Sequence, residues 1–322
     1  MKSRVHLAAV ATFLTLGLSA TRAEAQATRT YVSQSGDDTQ NCTRTAPCKT
    51  FAGTISKTAT GGEINCLDPG GYGSFTITKS ITIDCAGTLG STTASTSTGI
   101  VINPAAGSIV TVRNLTITGA PTAFPGNIGV RIAAPATVNL ENVDINNFRG
   151  ASPNGFGITI ANASGAVRLY VSGGVISNNG TTTSGAGINI QPTMSGQALV
   201  YLHNVELTGN WRGISANTSA TSAGNTLTMR GGTIFGSIDN AIDGTTAANA
   251  LNIMIEDVGI ANNARGVILA GAGVTTLIGN STVVQNGTAF SASGGAILQS
   301  FKDNQINLNS NNATPLAMVA PN

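Results

Sequence analysis

Three turns of this chain carry residue types that could do chemistry together. Asn147-Phe148-Arg149-Gly150, Asn210-Trp211-Arg212-Gly213 and Asn263-Ala264-Arg265-Gly266 share the pattern N-x-R-G, and Asp239-Asn240 falls between the last two. If repeats stack in register, Asp239 lies between Arg212 and Arg265, Trp211 is one repeat away, and Asp243 follows on the next strand. Guanidinium forks grip carboxylates bidentately, and an indole face packs on a sugar ring. The set therefore reads as a subsite for an acidic polysaccharide. If that polysaccharide is also cleaved, Asp239, Asp243 and Arg265 are the candidate catalytic residues, Arg holding a uronate and Asp serving as acid or metal ligand. The competing reading is a structural salt bridge that fastens the turns. Trp211 is the only tryptophan, and packing alone does not ask for one on a polar turn.

A second constellation lies elsewhere in the repeat. Aligned on a recurring Asn, the chain gives an outward column of Arg113, Glu141, Ser172, His203, Arg230 and Glu256, with Tyr170 and Tyr201 in the next column. Aromatic faces beside Arg, Glu and His would suit a sugar, which makes Tyr170, Tyr201 and His203 substrate-binding candidates together with Trp211 and Arg212. His203 also has an unperturbed pKa near neutrality, as a general base needs. The plainer reading is a strip of solvated ion pairs and stacked rings, each contributing little, and it is the favoured one.

What must position these residues is a repeat. Gly99-Ile100, Gly129-Val130, Gly157-Ile158, Gly187-Ile188, Gly213-Ile214, Ala241-Ile242, Gly266-Val267 and Gly295-Ala296 recur at 25 to 30 residues. In step with them runs a column of Asn114, Asn142, Gly173, Asn204, Gly231, Asp257 and Asn280. Self-similarity at such a period marks a solenoid or array. Each unit holds about three short stretches alternating aliphatic with Thr, Asn or Ser, a strand signal, and leaves no room for a helix of 10–15 residues. The pattern predicts an all-β, right-handed, single-stranded parallel β-helix with three-strand rungs. The Asn/Gly column is expected at a tight turn with left-handed backbone angles, its side chains bonding from rung to rung. Val110/Val112, Val138/Leu140, Leu169/Val171, Val200/Leu202 and Ile253/Ile255 are expected to fill the bore.

Lys2 and Arg4, an apolar run from Leu7 to Leu18, and Ala23-Glu24-Ala25 have the form of a bacterial-type signal peptide. Residues 1–25 are expected to be removed, which places the protein in the periplasm or outside the cell with no membrane insertion afterwards. Removal leaves 13 basic and 13 acidic residues. A neutral chain lacks the cationic footprint that nucleic acid demands. The four cysteines fit disulfides in an oxidising compartment. Of three connectivities, Cys42–Cys48 across a short Pro-containing loop and Cys66–Cys85 between matching strand segments are preferred; zinc-type spacing is absent.

The opening segment carries a further signal. Tyr31-Val32-Ser33, Gly36-Asp37, Pro47-Cys48-Lys49-Thr50-Phe51-Ala52, Gly61-Gly62-Glu63-Ile64 and Pro69-Gly70-Gly71-Tyr72-Gly73 resemble the start of right-handed β-helix proteins of the pectin-lyase-like superfamily. With the rungs, the resemblance covers nearly all of the chain after residue 25. It implies the fold; activity does not follow, because that superfamily holds lyases, hydrolases, epimerases, adhesins and inert scaffolds. Its lyases gather carboxylates around calcium, and its polygalacturonases use Gly-His-Gly and Arg-x-Lys. The chain has neither of those two motifs and no adjacent Asp pair within the rungs. The expected organisation is a signal peptide (1–25), an N-terminal cap with a short helix over 49–58 (26–60), the parallel β-helix (61–310) and a C-terminal tail or cap (311–322). The expected function is recognition of an extracellular polysaccharide, with or without cleavage. No cofactor is called for, although calcium stays open. The rival is a non-catalytic structural or adhesive surface solenoid. Oligomeric state is not readable.

Overall fold

The computed structural model describes residues 26–120, 123–247, 249–312 and 314–319; the expected signal peptide lies outside them. Each rung contributes one strand to each of three faces. The first face is a sheet of nine strands, running from Phe75–Ile77 through Thr98–Ile102, Ile128–Ile132, Phe156–Ile160, Ala186–Ile190, Ile214–Asn217, Asn240–Thr245 and Arg265–Ala270 to Thr288–Ser293. The second and third faces join into one 20-stranded sheet, because Gln197–Thr208 and Asn225–Phe235 run on around their shared corner. The strands pair in parallel with the next rung. The chain is thus a parallel β-helix of three-strand rungs, as the repeat predicts.

Side chains alternate between bore and surface because a strand has a period of two. On the first face Ile100, Val130, Ile158, Ile188, Ile214, Ile242, Val267 and Phe290 stack rung on rung, all fully buried. The second-face pairs named above are buried in the same way. Ile117, Ile145, Ile176, Leu207, Ile234 and Ile260 complete the core from the third face.

Two recurring columns have distinct physical causes. Asn114, Asn142, Gly173, Asn204, Gly231, Asp257 and Asn280 all have positive φ, between 44° and 70°, as expected for the tight corner between the second and third faces. The glycines that precede the stacked aliphatic residue of each first-face strand are needed for space. An added Cβ on Gly129 would meet Gly157 O and Ile145 Cγ2, each at 2.5 Å. The last member of this column is Ala289 rather than Gly295: Val267 pairs with Phe290, and Gly295 sits in a later turn with φ of 86°. The final repeat is therefore shorter than the expected spacing implies.

At the start of the solenoid a helix, Phe51–Ile55, begins at Thr50, whose Oγ1 accepts from Gly53 N at 2.9 Å. Phe51 is buried and meets the rings of Tyr72 and Phe75 at 5.2 and 4.8 Å, closing the bore. Cys42–Cys48 and Cys66–Cys85 are bonded, as preferred from the sequence. At the far end Ile306 and Leu316 pack against the core, and Ala317–Met318 pairs with Ile297–Ser300.

Candidate functional site

The turn from the third face into the first is held by buried asparagines. Asn210 Oδ1 accepts from the backbone N and from Nδ2 of Asn179, both at 3.0 Å, while its own Nδ2 donates to Ile176 O at 2.8 Å. Asn263, Asn286 and Asn309 repeat the arrangement further along. The residues after each asparagine are thereby fixed. Trp211 N donates to Asn179 O, Asp239 N to Trp211 O and Arg265 N to Asp239 O, at 2.8, 2.8 and 3.1 Å.

This ladder brings the expected cluster together. Arg212 Nε donates to Asp239 Oδ2 at 2.8 Å, Arg212 Nη1 pairs with Asp243 Oδ2 at 2.7 Å, and Arg265 Nη2 takes the other oxygen of Asp239. Two cations and two carboxylates thus satisfy one another. Burial works to raise the pKa of Asp239, but hydrogen bonds from Arg265 and Arg212 outweigh it and hold the carboxyl below its usual range. Asp243 moves the opposite way. Burial raises it, Asp239's charge adds to the rise, and Arg212, already shared, only partly opposes it. Carboxylates driven apart in this way are suited to unlike roles, one ionised and one able to carry a proton.

Asp243 belongs to an outward column on the first face, in register with Ser215, Asn189, Thr159 and Arg131. Ser215, Asn189 and Thr159 point away from the bore yet are buried. Turns at Ser152–Pro153 and Thr183–Gly185 rise beside them. With Asn189, Ser215, Gln191, Asn217, Arg212 and the half-buried Trp211, these turns line an open cavity of about 280 Å³. These turn residues escape a reading based on repeats, because they lie in the part of the rung whose length varies.

The first N-x-R-G turn is not in register with the other two. Phe148, not Asn147, stands at the ladder position, its N donating to Asn179 Oδ1 at 3.0 Å. Asn147 instead takes the positive-φ position shared with Asn178 and Gly209. Arg149 consequently falls in the column of Gly180 and Trp211. It borders a separate cavity of about 630 Å³.

Tyr170, Tyr201 and His203 occupy the second face and do not join Trp211. The tyrosine rings are 6.4 Å apart, and His203 stacks on Tyr201 at 6.3 Å. The column beside them has the expected register, with Arg113–Glu141 at 3.8 Å and Arg230–Glu256 at 3.0 Å. These pairs are solvated, so each contributes little. Among the described residues no three His, Cys, Asp or Glu side chains gather as a metal-binding group.

No protein-family model matches the sequence, and no curated protein matches it significantly. A solved structure does: pectate lyase Pel9A superposes with a TM-score of 0.58 at 14% identity, over 91% of this chain and 78% of that one. At that identity the likeness establishes the shared parallel β-helix fold, and the residues above carry any statement about chemistry.

Proposed function

We propose that this protein recognises a polysaccharide on its first face, beside the turn that carries Trp211. The observation that supports this most is the cavity itself. A half-buried indole stands next to outward-pointing amides and hydroxyls of Asn189, Gln191, Ser215 and Asn217, a mixture of flat apolar surface and paired donors and acceptors that suits a sugar ring. Placement outside the cytoplasm is supported by the two disulfides. Should the bound chain be cleaved, the acid we propose is Asp243, one rung along from Ser215 of the cavity wall, while Asp239 and Arg265 hold Arg212 in place beside it.

The rival reading, a rigid non-catalytic solenoid, draws support from the mutual neutralisation of the four charges. An affinity-gel and glycan-array screen with acidic and neutral polysaccharides, with and without calcium, tests the two. Retention that Trp211→Ala weakens fits recognition at this site; no retention on any glycan rejects it. Following each retained glycan for the ultraviolet absorbance of unsaturated products, and for new reducing ends, separates binding from turnover.

A further inference from the structure

The three N-x-R arginines have different partners. Arg212 commits its guanidinium to Asp239 and Asp243, and Arg265 gives Nη2 to Asp239, so the charge of each is already matched by a carboxylate. Arg149 makes no ion pair among the described residues. Its Nε donates to Asn178 O at 3.3 Å, which anchors the group by one edge. The guanidinium borders the 630 Å³ cavity, where Thr93, Thr118 and Asn147 offer hydroxyls and an amide and Ala120 and Pro125 offer apolar surface.

Arg149 also lies in line with Trp211. Since Phe148, Asn179 and Asn210 share the ladder position, Arg149, Gly180 and Trp211 share the next one. Two rungs separate Arg149 from Trp211, about 10 Å along the axis at the usual strand spacing. Gly180 keeps that interval free of side chains, since a Cβ there would come within 2.6 Å of Trp211 Cβ.

We propose that Arg149 is the carboxylate-binding residue of this protein, its guanidinium holding a uronate of the sugar chain that Trp211 stacks against; the link to a sugar chain rests on the reading of the Trp211 cavity given above. The carboxylate takes the edge of the fork that Asn178 leaves open, as a charge-assisted pair. The acid is therefore read from the third-face side of the turn, and Arg212 and Arg265 serve as structure.

Arginine side-chain Nε–H spectra of the full protein test this directly, because the bond to Asn178 slows exchange at Arg149. The Arg149 signal is identified by its loss in Arg149→Gln. Titration with free galacturonate is expected to move that signal while galacturonate methyl ester leaves it in place. Arg149→Gln is expected to weaken retention of acidic oligosaccharides about tenfold or more, a charged hydrogen bond's worth, with methyl-esterified chains unaffected. No shift with millimolar galacturonate, or equal shifts from acid and ester, overturns the proposal. A shift at Arg149 combined with polymer binding indifferent to Trp211→Ala upholds the carboxylate site and removes the tryptophan from the recognition surface.

Discussion

Asp239 and Asp243 lie on one guanidinium and respond to pH in opposite senses. The folded pKa of Asp239 is depressed, so its stabilisation is present above the unfolded value of about 3.9 and is lost as pH falls through the folded pKa. Asp243 is raised; its contribution is complete below the unfolded value and is lost as pH rises through the folded one. Asp239→Asn is therefore expected to cost about 2 kcal/mol near neutrality and progressively less in acid. Asp243→Asn should be neutral or stabilising near neutrality. Thermal melts across the acid range check this; equal losses for both variants at neutral pH would contradict the assignment. At Trp211, truncation to Ala is expected to weaken glycan binding roughly thirtyfold, the scale of a central aromatic anchor, with Tm little changed. Titration calorimetry on the tightest-binding glycan measures it.

At the level of single elements, the buried asparagines matter more than the ion pairs near them. Replacing Asn210 by Ala removes the acceptor for two donors of Asn179 and the side-chain donor to Ile176 O. A loss of about 3 kcal/mol is expected, read as a lower urea midpoint at unchanged slope. Much of this architecture was legible in the sequence. The Asn114–Asn280 column announced its corner because only Asn, Asp and Gly occupy positive φ there at low cost. The Arg212–Asp239–Arg265 neighbourhood followed from a one-rung stack. The reading slipped where length varies. Phe148 replaces an asparagine in the ladder, which displaced Arg149 by one residue, and Ala289 replaces the glycine of the shortened last repeat. Asn178-Asn179, Gly209-Asn210, Asn262-Asn263, Gln285-Asn286 and Leu308-Asn309 form a second period that would have fixed both registers. The cavity walls at Ser152–Pro153 and Thr183–Gly185 carry no period at all, since nothing in the bore constrains them.

For the molecule as a whole, contacts run from each rung to its neighbours, so stability accumulates locally and the ends are the places where order is lost first. The N-terminal end is protected by the Phe51 helix and by Cys66–Cys85, which ties two consecutive second-face strands in register. Replacing both of these cysteines by Ser should cost roughly 3 kcal/mol for a loop of this size, and hydrogen exchange should then quicken in the first rungs while those around Asp239 keep their protection. Uniform quickening along the chain would show instead that the solenoid opens as one unit.

The shortening of the repeat has a mechanical consequence. Gly99 to Gly129 spans 30 residues, whereas Asn286 to Asn309 spans 23. A molecule pulled by its ends would pay out thread one coil at a time, each coil releasing about 10 nm near the start but about 8 nm near the finish at the reach of an extended chain. The size of each step in a force trace would then tell whether a long early coil or a short late one had let go. The stretch between the two bonded cysteines would release none of its length.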